Sequence, residues 1–128
     1  MAKRALLSDR LPKPVGPYSQ AIKAGDFVFL SGQVAINPAT GSVDEKDVRG
    51  QTRRILENTK AFLESIGLGL QDIVKATVYL TRPEHFQEMN EVYREYFKQE
   101  PPARTTVVVQ LPVKDALIEV DFIAYAGR

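Results

Sequence analysis

Ala116-Leu117-Ile118-Glu119-Val120-Asp121-Phe122-Ile123-Ala124-Tyr125 is a strand whose two phases are both apolar. Successive side chains of a strand point to opposite faces. Ile118, Val120, Phe122 and Ala124 therefore share one face, and Leu117, Ile123 and Tyr125 share the other. Glu119 and Asp121 interrupt that second face. An acid on an apolar strand face is either half of an interface salt bridge or a group kept for chemistry. The pattern alone does not separate Glu119 from Asp121.

Working back from this strand, 112–115 reads as a turn and 105–111 as a β-rich strand after Pro101-Pro102. Before it, Phe86, Met89, Tyr93 and Phe97 recur at helical spacing, and Pro83 stands where proline is tolerated, in the first turn. Residues 73–80 read as another strand. Ile55, Leu56, Phe62, Leu63 and Ile66 mark a longer helix that starts among the acidic residues of 44–47 and stops at Gly67. Residues 18–23 and 27–31 read as two strands about the turn Ala24-Gly25-Asp26, with 33–36 extending the second and 37–41 a loop. Pro12, Pro14 and Pro17 keep the first stretch extended and irregular.

The order is β-β-α-β-α-β-β, an α+β domain spanning residues 1–128. Right-handed crossovers put both helices on one face of one sheet. Phe27-Val28-Phe29-Leu30, like the last strand, is apolar on both sides. Two helices cover one face only, so the other asks for a partner, most simply further copies of the chain.

Composition narrows the function. The 128 residues hold 44% hydrophobic and 26% charged side chains, ordinary values for a folded domain. There is no cysteine and one histidine, which removes a thiol nucleophile, cysteine-zinc sites and multi-histidine metal sites. No metal site is expected. Seventeen basic against sixteen acidic residues give a net charge of +1, which makes no electrostatic case for nucleic acid as a partner. Met1-Ala2-Lys3-Arg4 carries charge without a following apolar run, and no stretch is long enough to span a bilayer. The expectation is a cytoplasmic protein without a membrane partner.

Four further polar positions stand out. Arg104 opens a strand; a surface ion pair would account for it, and so would bidentate capture of a small carboxylate. Thr106 lies on the same face, two residues on. Asn90 falls on the apolar stripe of the second helix, where an amide needs partners. Ser31-Gly32 ends an apolar strand, either as a bulge or as a place of close approach. His85 reads as a surface residue of the second helix. No phosphate loop, dinucleotide fingerprint or nucleophile elbow is present.

At these same residues the chain resembles the RidA/YjgF family of reactive-intermediate deaminases, also known as endoribonuclease L-PSP or translation initiation inhibitors. The resemblance runs through Gly16-Pro17-Tyr18-Ser19-Gln20-Ala21, Ser31-Gly32-Gln33, Asn37-Pro38 with Thr40-Gly41, Gln51-Thr52, Glu57-Asn58 and Asn90-Glu91-Val92-Tyr93. It closes on Pro102-Ala103-Arg104-Thr105, Leu111-Pro112 and Ile118-Glu119-Val120-Asp121. It implies a chorismate-mutase-like mixed sheet with two helices on one face, trimeric, with clefts between subunits. It implies cofactor-free hydrolysis of 2-enamino and 2-imino acids, such as 2-aminoacrylate and 2-iminopropionate, to 2-keto acids and ammonia. On these matches Arg104 corresponds to the family's essential arginine and Glu119 to its water-positioning acid, in preference to Asp121. Tyr18, expected from a neighbouring subunit, and Ser31, Gly32 and Asn90 match substrate-contacting positions. Many relatives have cysteine where this chain has Thr106, so thiol chemistry is excluded and a hydroxyl is offered instead. Two other functions fit the same resemblance: an endoribonuclease that inhibits translation, which the balanced charge disfavours, and a non-enzymatic ligand-binding or chaperone-like trimer.

Overall fold

The computed structural model describes residues 2–127; Met1, part of the N-terminal reading above, lies outside them. Eight strands and two helices follow in the order β1 (Arg4–Leu6), β2 (Ala21–Ala24), β3 (Phe27–Val34), β4 (Ile36–Asn37), β5 (Ser42–Val43), α1 (Val48–Ser65), β6 (Ile73–Leu80), α2 (Phe86–Tyr96), β7 (Ala103–Val108) and β8 (Ile118–Tyr125). The main sheet is ordered β1-β2-β3-β8-β6-β7. Only β6 and β7 pair in parallel; the remaining neighbours are antiparallel. The α+β reading and the mixed sheet are both seen.

Two strand features escaped the sequence pattern. β1 is three residues long, too short for alternation to register, and is held by pairing with β2, Arg4 opposite Lys23. The expected loop at 37–41 is the tip of a small hairpin, β4 with β5. The strand expected from Tyr18 begins only at Ala21. Tyr18 is held in a turn instead, its backbone N–H donating to the Gly16 carbonyl at 2.9 Å.

The helices end where local chemistry dictates. Asp47 caps α1 by accepting from the Gly50 N–H at 2.7 Å, a bond worth about 1 kcal/mol at a helix start. At the other end Gly67 takes a φ of +85°. Leu68 N–H then reaches the Leu63 carbonyl and Gly67 N–H the Glu64 carbonyl, the paired bonds that close a helix over a left-handed residue. Pro83 opens a 3-10 turn, Pro83–His85, that runs straight into α2.

The core lies between the helices and one sheet face. Ile118, Val120, Phe122 and Ala124 of β8 are buried there, with Ala76 and Val78 of β6, Val28 and Leu30 of β3, and Ile55, Phe62, Leu63 and Met89 of the helices. The other face has no helix. Phe27 and Phe29 stay exposed on it, and the Phe27 ring meets Tyr125 edge-on at 5.5 Å. Among the described residues no helix is long and apolar enough to cross a membrane.

Three buried amides tether connecting segments to the fold. Gln51 of α1 accepts from Leu117 N–H and donates to the carbonyls of Glu45 and Asp115, tethering the entry to β8. Gln20 donates to the carbonyls of Leu11 and Pro12 and accepts from Ser8 N–H. Asn58 donates to the Ile36 carbonyl. Buried polar groups pair in this way because leaving them unpaired costs more than the bond returns.

Candidate functional site

One additional residue in β3 shapes the site. Leu30 pairs with Phe122 and Gln33 with Val120, so three steps along β3 match two along β8. The bulge falls at Ser31-Gly32, the plain reading offered for that pair. It does more than bend the strand. A Cβ placed on Gly32 would lie 2.0 Å from Glu119 Oε2 and 2.8 Å from its carboxyl carbon. The carboxylate of Glu119 occupies the space that glycine leaves.

Around it is a cavity of about 370 Å³, lined by Tyr18, Ser31, Gly32, Val34, Pro112 and Glu119 among others. Tyr18 bends over it, its hydroxyl accepting from Val15 N–H at 3.2 Å. Ser31 Oγ is already committed, donating to the Ser19 carbonyl at 2.6 Å. The two acids of β8 differ here. Asp121 accepts from the Tyr79 hydroxyl at 2.9 Å. Glu119 has no hydrogen-bond partner among the described residues, and burial, followed by the charge of Asp121, pushes its pKa above the ordinary carboxylate value. A free, half-buried carboxyl facing a cavity is placed to take and return protons.

Replacing Gly32 by alanine is expected to leave the fold standing, since the clashing atoms are the far end of a flexible side chain. It should drive the Glu119 carboxylate out of its seat. Thermal melting should shift by a few degrees at most. The pKa of Glu119, followed by carbon-13 NMR of its labelled carboxyl, should fall towards the ordinary value. An unmoved pKa in Gly32→Ala would mean that the glycine does not set the position of the acid.

Arg104 lies elsewhere. It pairs in register with Ala76, and Thr106 with Val78, so both face the helices, whereas Glu119 faces away. The Arg104 guanidinium carbon sits 4.8 Å from the Tyr93 ring centre and 5.8 Å from that of Phe86, with a nitrogen 3.8 Å from the Met89 sulfur. Among the described residues no carboxylate pairs with it; the ion pairs present involve Arg10, Arg49, Arg53 and Arg82. The surface ion pair offered as the plain account of Arg104 is therefore not seen among the described residues. A second cavity, about 310 Å³, opens beside it, lined by Asn90, Tyr93, Arg94, Phe97, Pro102 and Arg104. Asn90 is half-exposed here rather than buried in the stripe. Thr106 is half-buried on the Arg104 face and lines neither cavity.

The expected site residues thus fall into two groups on opposite sides of the sheet. Tyr18, Ser31, Gly32 and Glu119 share one cavity; Asn90 and Arg104 share the other. Two neighbours were missed. Tyr93 was read only as core, although its buried hydroxyl lies beside the Arg104 guanidinium, with no acceptor for its own proton among the described residues. Burial pushes its pKa up to about 12, against the charge of Arg104 and a hydrogen bond from that guanidinium to the phenol oxygen, so the phenol keeps its proton. His85 was read as surface; it is half-buried, with Nδ1 buried and unpartnered among the described residues. Helical periodicity cannot show where a phenol or imidazole ends.

Comparison with known proteins gives a consistent picture. The family model described as Endoribonuclease L-PSP matches residues 8–126. A RutC family protein of Pyrococcus abyssi is 51% identical, with 98% of each chain covered. A protein of Dermatophagoides farinae named 2-iminobutanoate/2-iminopropanoate deaminase is 36% identical over 94% of each chain. The crystal structure of Escherichia coli TdcF with bound serine superposes with a TM-score of 0.89 at 38% identity, covering 97% of this chain and 99% of that one.

Proposed function

This chain belongs to the RidA (YjgF) family, described also as Endoribonuclease L-PSP, and on that premise we propose that it hydrolyses 2-imino acids to 2-keto acids at a centre shared between two copies of the chain. The observation that carries this reading is the split of complementary groups. Among the described residues, a guanidinium without a carboxylate partner faces one cavity and a carboxyl without a hydrogen-bond partner the other, on opposite sides of one sheet. A single chain does not bring them together. The aromatic cluster on the uncovered face supplies the apolar surface for association, and the assembly we propose is a trimer with one working centre per interface. The deaminase of D. farinae and the amino acid bound to TdcF support a small carboxylate-bearing substrate.

In this reading Arg104 grips the substrate carboxylate with two parallel hydrogen bonds. Holding the imine at a fixed place supplies orientation, a large term for a catalyst without a nucleophile. The protonated C=N carbon is the electrophile. Glu119 takes a proton from water as its oxygen bonds to that carbon, then returns it to nitrogen. The hydroxyl of the adduct then gives its remaining proton to Glu119 as its oxygen forms the carbonyl and the C–N bond breaks; ammonia leaves with that proton as ammonium, so one iminium and one water account for the keto acid and every atom. Tyr18 and Asn90 border the substrate from the two sides, Gly32 makes room for the acid, and no cofactor or metal takes part. The expected setting is the cytoplasm.

The test generates 2-iminopropionate in situ with an amino-acid oxidase and follows ammonia release and loss of the imine. The purified protein should accelerate the loss severalfold or more, and light scattering should give three times the chain mass. A folded, active monomer would exclude the shared centre; a trimer that leaves imine decay unchanged would exclude the reaction.

A further inference from the structure

We propose that the shared centre favours 2-imino acids that carry a second carboxylate, and that Arg94 holds it. The premise is Arg104 as anchor of the first carboxylate. The charges of α2 divide between its two flanks. Glu88 and Glu91 pair with Arg49 of α1, and Glu95 pairs with Arg53. Arg94 is the one charged residue of α2 without an ion pair among the described residues. It stands one helical turn after Asn90, and helical side chains lean back towards the N-terminus. Arg94 is therefore directed over Asn90, along the Arg104 cavity that both residues line. Among the described residues the walls of that cavity hold two arginines and no acid. Two cations bordering about 310 Å³ repel each other. One carboxylate answers only one of them; a substrate with carboxylates at both ends answers both.

The facing cavity adds to the bias. Besides Glu119, the charged residue on its walls is Lys13, another cation without an ion pair among the described residues. The assembled centre then sets Arg94, Arg104 and Lys13 against the single acid Glu119, a field that favours the more negative ligand. Arg94 takes the second carboxylate because it shares a cavity with the arginine that fixes the first. Lys13 belongs to the side of the acid, where water meets the imine carbon. A cation in the last turn also suits the dipole of α2, but that contribution is the same whatever the ligand.

The test titrates the assembled protein with pyruvate and with 2-oxoglutarate in a calorimeter, at low and raised salt, for wild type, Arg94→Gln, Lys13→Gln and Arg104→Ala. Wild type should bind 2-oxoglutarate about tenfold more tightly than pyruvate, a margin between that of an exposed ion pair and that of a desolvated one. The margin should narrow as salt rises. Arg94→Gln should lose most of it, with pyruvate affinity falling no more than about twofold and melting close to wild type. For 2-iminoglutarate, generated in situ by a glutamate oxidase, KM of Arg94→Gln should rise about tenfold with kcat little changed, the signature of a lost binding contact. Equal affinity of wild type for the two keto acids would overturn the dicarboxylate preference and leave Arg104 untouched. An equal fall for both ligands in Arg94→Gln, or a margin lost in Lys13→Gln and kept in Arg94→Gln, would remove Arg94 from the second carboxylate. No binding of either keto acid by wild type, or equal binding by wild type and Arg104→Ala, would remove the first anchor and Arg94 with it.

Discussion

Arg104→Ala is expected to abolish most deamination while the protein still folds. The side chain lies over the rings of Tyr93 and Phe86 and against the sulfur of Met89, and it donates to the Tyr93 oxygen. Losing a cation over an aromatic ring costs about 0.5–1 kcal/mol at an exposed site and about 2 when desolvated. Removing a half-buried charge that has no protein counter-ion offsets part of this. The thermal shift should be small. The substrate loses far more. Truncating one side of a desolvated charge pair costs about 2–5 kcal/mol, a fall in kcat/KM of roughly thirtyfold to several thousandfold. Arg104→Lys should recover only part, because an ammonium neither forks onto a carboxylate nor stacks flat on Tyr93. Circular dichroism, melting and imine hydrolysis for the three proteins decide the matter. A folded, active Arg104→Ala would place the carboxylate elsewhere and dissolve the assignment.

The second large effect belongs to Glu119. Glu119→Gln keeps the shape beside Gly32 but cannot carry a proton, so kcat should fall by about a hundredfold or more with pyruvate binding retained. Stability should move the other way. Burial raises the carboxyl's pKa, so the folded chain binds that proton more tightly than the unfolded chain. Its favourable contribution is full below the unfolded pKa and lost as pH rises through the folded one. At neutral pH the amide should therefore melt level with, or above, the wild type. The acidic limb of wild-type kcat/KM should lie above the ordinary carboxylate range, because the base works ionised. Unchanged kcat in Glu119→Gln would pass the role to solvent or to Asp121. Asp121 is the weaker candidate, since the Tyr79 hydroxyl already occupies it.

Much of this was legible in the sequence, for identifiable reasons. The two-phase apolar pattern of 116–125 showed a sheet with one face left open, and β8 buries the Ile118 phase while the other phase is only half-buried, up to the exposed Tyr125. The acidic residues of 44–47 and Gly67 announced the ends of α1 through end effects that act within a few residues, and the cap itself is Asp47. Period alone could not show β1, which exists by virtue of its partner. Nor could it separate Glu119 from Asp121. Both alternate correctly, and what distinguishes them is a glycine nearly ninety positions earlier, brought opposite by a bulge. The surroundings of the Tyr93 hydroxyl are similarly invisible to periodicity: a tyrosine in an apolar stripe looks the same whichever groups its oxygen meets.

Arg104 and Glu119 look out from opposite sides of one sheet, and under the proposed arrangement this has a genetic consequence. No polypeptide owns its active centre; each lends an arginine to one neighbour and an acid to the other. Two alleles that are each inert, one lacking the arginine and one the acid, then need not be inert together. When their products co-assemble at random, about one interface in four joins the intact arginine of one to the intact acid of the other. Damage to this gene is thereby shared out among interfaces, and a cell carrying two different broken copies keeps a working fraction that neither copy could supply alone.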